Sequence, residues 1–261
     1  MQWARVGLGM SRLNHIFISH IHGDHCFGLP GLISTMGLLG RTADLHIHAP
    51  AGLKPFVDCV LTHFCQDMDY DVFFHEVDTT QHQMVYEDRS VEVWSLPLKH
   101  RVPCAGFLFK EKALQPHIRP EMLQAYDIPF SQVSNIKAGM DWTTPNGDVI
   151  PNSRLTRPAD PPRSYAYCSD TQYMPKLAQW LKGVNLLFHE ATFGEEYAKR
   201  AQQTCHSTAR QAAMVAEAAG ARRLLVGHYS GRVKDEKLHL AEAQEVFANS
   251  FLSDEGQVWD V

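Results

Sequence analysis

The feature that most constrains this chain is a short apolar run that ends in a cluster of histidines. HIFIS at residues 15–19 has the pattern of a strand, and HIHGDH at residues 20–25 follows it with three histidines and one aspartate. A polar loop rarely needs four such groups in six positions. Histidine is the commonest metal ligand near neutral pH, and the chain contains 15 of them. The run therefore indicates one half of a metal site at the end of a strand.

The rest of the chain alternates between strand-like and helix-like segments, which predicts a layered α/β fold. Further strands are predicted at residues 44–50, 71–77, 90–98, 104–110, 164–170, 184–191 and 222–230. Helices are predicted at residues 27–40, 51–64, 207–221 and 235–250. The helix at 207–221 has the clearest signals, because Ser207 or Thr208 can cap its start and Gly220 can end it.

Ligating or titratable side chains follow several of these strands. They are His20, His100, Asp170, His189, Glu190 and His228. The C-terminal edge of the strands binds ligands in layered α/β folds, so we expect these side chains to meet there. His20 and His22 point the same way at a strand end and can bind one ion, whereas Asp24 and His25 follow the turn and suit a second ion. Asp170 fits the role of a ligand and, equally, that of a helix cap for the segment that follows it.

Composition and charge exclude several classes of protein. The 261 residues, 44% of them hydrophobic, suit a single domain spanning 1–261. The net charge of −5 excludes a globally basic nucleic-acid binder, so any such partner has to be met by a local patch. No apolar run reaches the length of a membrane span, and no secretion signal is apparent. The six scattered cysteines, without a CxxC pair, indicate reduced thiols and a cytoplasmic location.

Residues 111–163 interrupt the alternation of strands and helices. Prolines are frequent there and apolar periodicity is weak. A segment of this length inside a compact domain is usually functional or mobile, although a merely solvated loop is the alternative. We interpret it as an inserted arm that projects from the core and contains a short helix near residues 119–126.

Several motifs carry a resemblance to a known family. SHIHGDHCFGLPGL at residues 19–32 resembles the HxHxDH signature of the metallo-β-lactamase superfamily, in the form found in ribonuclease Z. Further motifs are similar in the same order, namely LKHRVPCAGF (98–107), YCSDT (167–171), FHEATF (188–193), HSTA (206–209) and GHYSGR (227–232). Lactonases, thioesterases and nucleases share HxHxDH, but the HEAT and HST motifs with the inserted arm narrow the resemblance to the ribonuclease Z family.

The resemblance implies a four-layer αβ/βα sandwich that holds two Zn²⁺ ions per chain. His20, His22 and His100 would hold one ion and Asp24, His25 and His228 the other, with Asp170 bridging them. The implied activity is that of an endoribonuclease that removes 3′ trailers from precursor tRNA, leaving a tRNA 3′-hydroxyl and a trailer 5′-phosphate. Asp24 would accept a proton, and His206 would donate a proton or a hydrogen bond to the departing 3′-oxygen. Glu190 would orient His206.

The arm resembles the flexible exosite with which this family grips tRNA bound to the partner subunit of a homodimer. Candidate substrate-binding residues are Lys137, Arg154, Arg157 and Arg232. The sequence departs from the family pattern here, because many bacterial members carry a Gly-Pro-rich stretch ending in Leu-Lys. This chain has IPFSQVSNIKAGMDW at residues 128–142 instead, with Phe130 after Pro129 and few basic residues.

A second departure concerns the start of the chain. Family members begin with several strands and a DCGEGTQ-like segment, whereas this chain opens at MQWARVGLGMSRLNHIF. We therefore expect a sandwich that lacks the first N-terminal strands and has an unpaired sheet edge. Two other readings remain open, a small-molecule phosphodiesterase or lactonase of the same superfamily, and an inactive metal-binding fragment.

Overall fold

The computed structural model describes residue 7, residues 9–231 and residues 235–261. The chain forms two compact units. The first comprises Met1–Glu87, Glu92–Lys110 and Ser164–Val261, and the second comprises Asp88–Val91 and Glu111–Arg163.

The elements follow one another in the order that the alternating pattern predicts. The strands are β1 (His15–Phe17), β2 (Leu45–Ala49), β3 (Val72–Glu76), β4 (Met84–Glu87), β5 (Val91–Leu98), β6 (Cys104–Glu111), β7 (His117–Ile118), β8 (Trp142–Thr143), β9 (Val149–Ile150), β10 (Thr156–Arg157), β11 (Ser164–Cys168), β12 (Leu186–Glu190), β13 (Arg223–Gly227) and β14 (Ser250–Leu252). The α-helices are α1 (Gly23–Cys26), α2 (Gly28–Leu38), α3 (Lys54–Phe64), α4 (Pro120–Ala125), α5 (Val133–Lys137), α6 (Asn152–Leu155), α7 (Leu177–Trp180), α8 (Ala198–Thr204), α9 (Ala209–Ala219) and α10 (Glu236–Gln244). Single 3₁₀ turns lie at Met10–Arg12, Ala51–Leu53, Phe130–Gln132 and Glu195–Tyr197.

The first unit contains a parallel sheet of three strands in the order β1-β2-β3. Its outer face is apolar, and Ile16, Ile47 and Phe74 belong to a core cluster that also includes Ile33 of α2 and Val57 of α3. Successive side chains of a strand point to opposite faces, so these apolar residues place one side of the sheet against the two helices. Among the described strands, β1 lies at an edge of the sheet.

A second sheet has the strand order β14-β13-β12-β11-β6-β5-β4. Strands β11 to β14 run parallel, and β6 runs antiparallel to β11. Its outer face packs against α7, α9 and α10. The small buried side chains of α9, such as Ala212 and Ala216, allow its backbone to lie close to the sheet. As predicted, Thr208 caps α9, and Gly220 ends it in a left-handed conformation with φ of 62°.

The inner faces of the two sheets contact each other through aromatic rings. The ring of Phe17 lies 5.2 Å from that of Phe107 and 5.3 Å from that of Phe109. Because helices cover both outer faces, the unit is a four-layer αβ/βα sandwich, as predicted. Close packing also explains Gly106 in the segment after His100, since a Cβ there would lie 2.6 Å from the carbonyl oxygen of Tyr167.

Histidine rings occupy much of the inner face of the three-stranded sheet. His15 stacks on His46 at 4.8 Å, and His48 stacks on His75 at 4.6 Å and on Phe17 at 4.4 Å. His48 is 2% exposed. Burial, followed by the positive charge of its histidine neighbours, lowers the pKa of His48 to about 3. His48 is therefore an uncharged core residue at neutral pH.

This burial predicts acid sensitivity of the fold. Below the unfolded pKa of 6.5 the unfolded chain binds a proton at this position, whereas folded His48 stays neutral until about pH 3. Stability is therefore lost as the pH falls through that window, by about 2 kcal/mol at pH 5 for this side chain. We expect His48→Gln to shrink the difference between the free energies of unfolding at pH 7.5 and pH 5 by this amount. Urea titrations with chelator present measure it, with His63→Gln as the control, and an unchanged difference would contradict the prediction.

The second unit has a small core of its own. Ile128, Ile136, Ile150 and Leu155 are buried together. The helix predicted near residues 119–126 is present as α4, and the guanidinium of Arg163 forms hydrogen bonds to the carboxylate of Glu111 where the segment leaves and rejoins β6 and β11. These apolar residues come from short helices, a two-stranded sheet and an irregular segment, so no single periodicity marks them in the sequence.

Several boundaries differ from the prediction. The helix expected at 27–40 is present as α2, but a separate helical turn, α1, precedes it within the histidine-rich run, where a loop was expected. The helix expected at 235–250 ends at Gln244, because β14 follows. Strands β4 and β14 were not predicted, since both are short and they lie at the two edges of the large sheet. In the part of the chain that the structure describes, no helix has the length and apolar character needed to span a membrane.

Candidate metal centre

The parallel strands of the large sheet deliver candidate ligands to one edge. Cys168 of β11 pairs with His189 of β12, and Glu190 pairs with Gly227 of β13. Asp170, Glu190 and His228 therefore follow or end adjacent strands at nearly the same height. The backbone at His228 has φ of 61°, a left-handed conformation that is uncommon outside glycine and that concentrates at functional sites.

The first group of side chains contains three imidazoles and one carboxylate. His22 Nδ1 lies 3.1 Å from His20 Nε2 and 3.3 Å from His100 Nε2. Asp170 Oδ2 lies 3.7 Å from His20 Nε2 and 3.8 Å from His100 Nε2. These four ligand atoms lie within 4.8 Å of one another, which makes a compact binding position for one cation.

The second group shares the aspartate of the first. His25 Nε2 lies 3.4 Å from both Asp24 Oδ2 and Asp170 Oδ1. His228 Nε2 lies 3.3 Å from Asp170 Oδ1 and 3.9 Å from Asp24 Oδ2. Asp170 thus turns one carboxylate oxygen to each group, which is the arrangement that a bridging ligand requires.

Hydrogen bonds fix the protonation of three of these imidazoles. His100 Nδ1 donates to the carbonyl oxygen of Cys205 at 2.9 Å, which leaves a lone pair on Nε2. The hydroxyl of Ser19 donates to Ser169, so its oxygen accepts from His20 Nδ1 at 3.1 Å. In both rings the nitrogen that faces the centre is therefore unprotonated.

Thr192 fixes the protonation of His228 in a similar way, because its own hydroxyl proton is directed to a carboxylate. The Thr192 hydroxyl donates to Glu190 Oε2 at 2.7 Å, and its oxygen accepts from His228 Nδ1 at 3.0 Å. Glu190 is 0% exposed. Burial alone would raise its pKa, but hydrogen bonds from His206, Thr192 and the Thr171 backbone outweigh it and lower the pKa, so Glu190 is an anion that only accepts.

The charge states suit ligation as well. Burial is the main cause that lowers the pKa of His20 to about 3, and burial also lowers the pKa of His25 and of His100. For Asp24, burial opposes ionisation, but the neighbouring His25 together with a backbone hydrogen bond lowers its pKa overall. Neutral imidazoles and ionised carboxylates are the forms that bind metals.

The donor set fits a pair of divalent cations. Within the described residues, the buried His25 Nε2 has no hydrogen-bond partner, and the unprotonated nitrogens of His20, His100 and His228 lie 3.7, 3.8 and 3.3 Å from carboxylate oxygens of Asp170. Lone pairs crowded in this way repel one another unless a cation lies between them. Imidazole nitrogen and carboxylate oxygen are the ligands that zinc prefers.

A histidine and carboxylate pair borders this centre. His206 Nδ1 donates to Glu190 Oε1 at 2.8 Å. Burial alone would lower the pKa of His206, but the hydrogen bond and charge of Glu190 outweigh it and raise the pKa above its usual value. Cys205, which ends α8 with φ of 57°, turns the chain so that His206 faces the centre, within 4.8 Å of ligand atoms of Asp170 and His228.

Thr192→Val is expected to weaken metal binding without touching a ligand. The substitution keeps the shape of the side chain but removes the acceptor for His228 Nδ1, so this ring is free to rotate or to change tautomer. Loss of such a partner typically costs 10- to 100-fold in metal affinity, and we expect a loss of about that size. Competition with a chromophoric chelator measures it. Thr204→Val, which removes a helix-backbone hydrogen bond on α8, is the control, and equal affinities in both variants would contradict the prediction.

The structure brings together most of the residues singled out in the sequence, and separates others. The seven candidate ligands, Glu190 and His206 lie at one site. His189 does not join them, because its buried ring donates to the Glu190 carbonyl oxygen. The alternative role of Asp170 as a helix cap is wrong, since α7 begins at Leu177 with Lys176 at its N-cap.

The candidate substrate-binding residues belong to the second unit or lie outside the described part of the chain. Lys137, Arg154 and Arg157 belong to the second unit, where both arginines are exposed. Arg232 lies outside the described residues. Sequence reasoning missed Ser19, Thr192 and the Cys205 carbonyl as partners of the ligands. Thr192 had a signal in its place within the HEAT motif, whereas a backbone carbonyl has none.

Comparison with known proteins agrees with this architecture. A family model described as a beta-lactamase superfamily domain matches residues 154–229. Human tRNase Z, short form, has a TM-score of 0.64 at 21% identity over 99% of this chain and 83% of its own. The metallo-beta-lactamase fold protein YhfI from Bacillus subtilis has a TM-score of 0.64 at 17% identity, covering 98% of this chain and 82% of its own. The fold and the site define a metal-dependent protein of the metallo-β-lactamase class.

Relatives at high identity narrow the class. Ribonuclease Z from Bacteroides fragilis is 56% identical over 98% of this chain and 84% of its own length. Ribonuclease Z from Bacteroides thetaiotaomicron is 53% identical over 98% of this chain and 81% of its own length. The chain belongs to the ribonuclease Z family.

Proposed function

We propose that this chain is a zinc-dependent endoribonuclease that removes 3′ trailers from precursor tRNA. The products are a tRNA with a 3′-hydroxyl and a trailer with a 5′-phosphate. The observation that carries the proposal is the division of Asp170 between two groups of ligands, with His206 and Glu190 directly beside them. Membership of the ribonuclease Z family supplies the class of substrate.

Two Zn²⁺ ions would be held by the seven ligands. His20, His22 and His100 would hold one ion, and Asp24, His25 and His228 the other, with Asp170 shared. When bound, such a pair lowers the pKa of a coordinated water and stabilises negative charge on phosphate oxygens. The unprotonated nitrogens that face the centre mean that the folded chain releases few protons on binding these ions.

The chain's own residues manage the protons of the cleavage. Asp24, an exposed carboxylate at the rim with a lowered pKa, accepts a proton from the nucleophile. Buried Glu190 holds His206 with its Nδ1 proton in place and its Nε2 edge directed away from Glu190. The raised pKa of His206 favours its protonated form, which can donate a proton to the departing 3′-oxygen.

Cleavage of a 3′-extended tRNA, assayed together with metal content, tests this function. We expect about two zinc ions per chain, a single cut after the acceptor stem, and loss of cutting with chelator. A model phosphodiester assayed in parallel separates the alternative of a small-molecule enzyme. Turnover of the model compound with an uncut tRNA, at full metal content, would overturn the proposal.

The proposal includes a homodimer in the cytoplasm, with the arm at residues 111–163 as the part that grips tRNA. Leu38 and Phe64 are 85% and 74% exposed and line one groove between α2 and α3. Exposed apolar side chains of this kind mark interaction surfaces.

All six cysteines are free thiols, which suits a reducing compartment. Lys137, Arg154 and Arg157 would supply the phosphate contacts of the arm.

Sedimentation of a variant with Leu38→Glu and Phe64→Glu tests the dimer. Two buried charges would prevent the association, so we expect the variant to sediment as a monomer while the unaltered chain sediments as a dimer. Leu114→Glu, which adds a charge at an exposed apolar position of the second unit, is the control. A variant that remains dimeric would place the interface elsewhere.

A further inference from the structure

A cavity of about 420 Å³ opens beside His206. Its volume falls in the range of small-molecule sites, roughly 300–1,000 Å³. Its lining residues are Gln172, Tyr173, Ala198, Lys199, Gln202, His206 and Gln211. None of the seven candidate metal ligands is among them, so the cavity extends from His206 away from the metal centre.

Most of the polar side chains in this wall are unengaged. In the described part of the chain, the side chains of Gln172, Tyr173, Lys199 and Gln202 form no hydrogen bond with protein. Gln211 differs, because it belongs to the capping box of α9. Amides that donate and accept, an aromatic ring that stacks, and an ammonium beside them are the chemistry that binds a single nucleotide of RNA.

The position of the cavity decides which nucleotide this is, given the function proposed above. His206 serves the departing 3′-oxygen, so the ribose that carries this oxygen lies against His206. The base on that ribose then needs a space next to His206 that the metal ligands do not occupy. We propose that the cavity binds the last nucleotide of the mature tRNA, the one whose 3′-oxygen departs. Tyr173 stacks on its base, and Gln172 and Gln202 bond the edge of the base.

Glutamine amides make this subsite tolerant of sequence. Each amide presents either its oxygen or its NH₂ group after a rotation of the side chain, so each base finds a partner. The contribution of stacking is also shared by all bases. The subsite should therefore require the presence of a base but not its identity.

Single-turnover cleavage of five precursor tRNAs tests the subsite. Four carry the different bases at the last position of the mature tRNA, and the fifth has an abasic nucleotide there. We expect similar rates for the four bases and a loss of about tenfold to a hundredfold in kcat/KM for the abasic substrate. Tyr173→Ala should lose a similar factor on intact substrate but little more on the abasic one. Gln202→Ala should show a smaller loss of the same kind.

Gln203→Ala is the matched control, because Gln203 neighbours Gln202 on α8 but does not line the cavity. It should behave as the unaltered chain does. Equal cleavage of intact and abasic substrates by the unaltered chain would overturn the subsite and leave the proposed function standing. The same would follow if base removal cost Tyr173→Ala and Gln202→Ala as much as it costs the unaltered chain. Failure to cut any intact precursor would overturn both proposals.

Discussion

His206→Asn should lower kcat for cleavage of a 3′-extended tRNA by about 10²–10⁴-fold. The asparagine amide can still donate to Glu190, where His206 Nδ1 now donates at 2.8 Å, so the buried carboxylate keeps a partner. What is lost is the proton on Nε2 that the departing oxygen needs. Because His206 is not one of the seven ligands, the metal content should stay that of the unaltered chain. Single-turnover rates and metal analysis on the same sample measure both quantities.

A substrate with sulfur in place of the departing 3′-oxygen sharpens this test. A thiolate leaves without protonation, so the His206→Asn variant and the unaltered chain should cut this substrate at similar rates. His63→Asn, at an exposed position on α3, controls for the loss of any histidine. Full turnover of the oxygen substrate by His206→Asn would refute its role as the proton donor. Lost metal in that variant would assign the effect to ligation instead.

Asp170→Asn should also have a large effect, on both cleavage and the stability of the fold. The sign of the change in stability should depend on whether metal is present. In the presence of zinc, the variant lacks the charge shared by both groups of ligands, so it should hold fewer than two ions and lose cleavage. Metal binding raises the free energy of unfolding of the unaltered chain by about 2.7 kcal/mol when free metal is a hundredfold above Kd. The variant should lose most of this stabilisation. With chelator the order should reverse, because Asp170 is 3% exposed and its uncompensated charge then destabilises the fold.

Thermal unfolding of the unaltered chain and of Asp170→Asn, each with zinc and with chelator, measures this reversal in the order of stability. Asp58→Asn is the control, because Asp58 is an exposed carboxylate that forms an ion pair with Lys54 on the same helix. Its unfolding temperature should change little in either condition. A variant at Asp170 that retains two ions with unchanged affinity would show that the carboxylate does not bridge.

The sequence predicts the ligands well and their support poorly. His20, His22, Asp24 and His25 are close in the chain, so spacing alone brings them together. His100, Asp170 and His228 could be added because strand ends meet at one edge, a rule that needs only the strands. The proton on His100 depends instead on a backbone carbonyl at Cys205, which is 105 residues away and has no signature in residue type.

The errors elsewhere have similar causes. Asp170 looked equally suited to capping a helix, but the chain after it runs through an irregular stretch until α7, and Pro175 lies in that stretch. In residues 111–163, Ile128 and Ile150 meet only after several turns, so their joint burial could not be derived from periodicity. Local pattern predicts an element when one period governs it, and long-range contacts decide the rest.

Cys205 links two parts of the site that are far apart in the chain. Its carbonyl oxygen holds the ring of His100, and its left-handed backbone turns His206 toward the same centre. A shift of this one peptide would misplace a ligand and a proton donor together. A mutation that moves this loop would therefore change metal affinity and proton donation at the same time. Neither property can be altered here without altering the other.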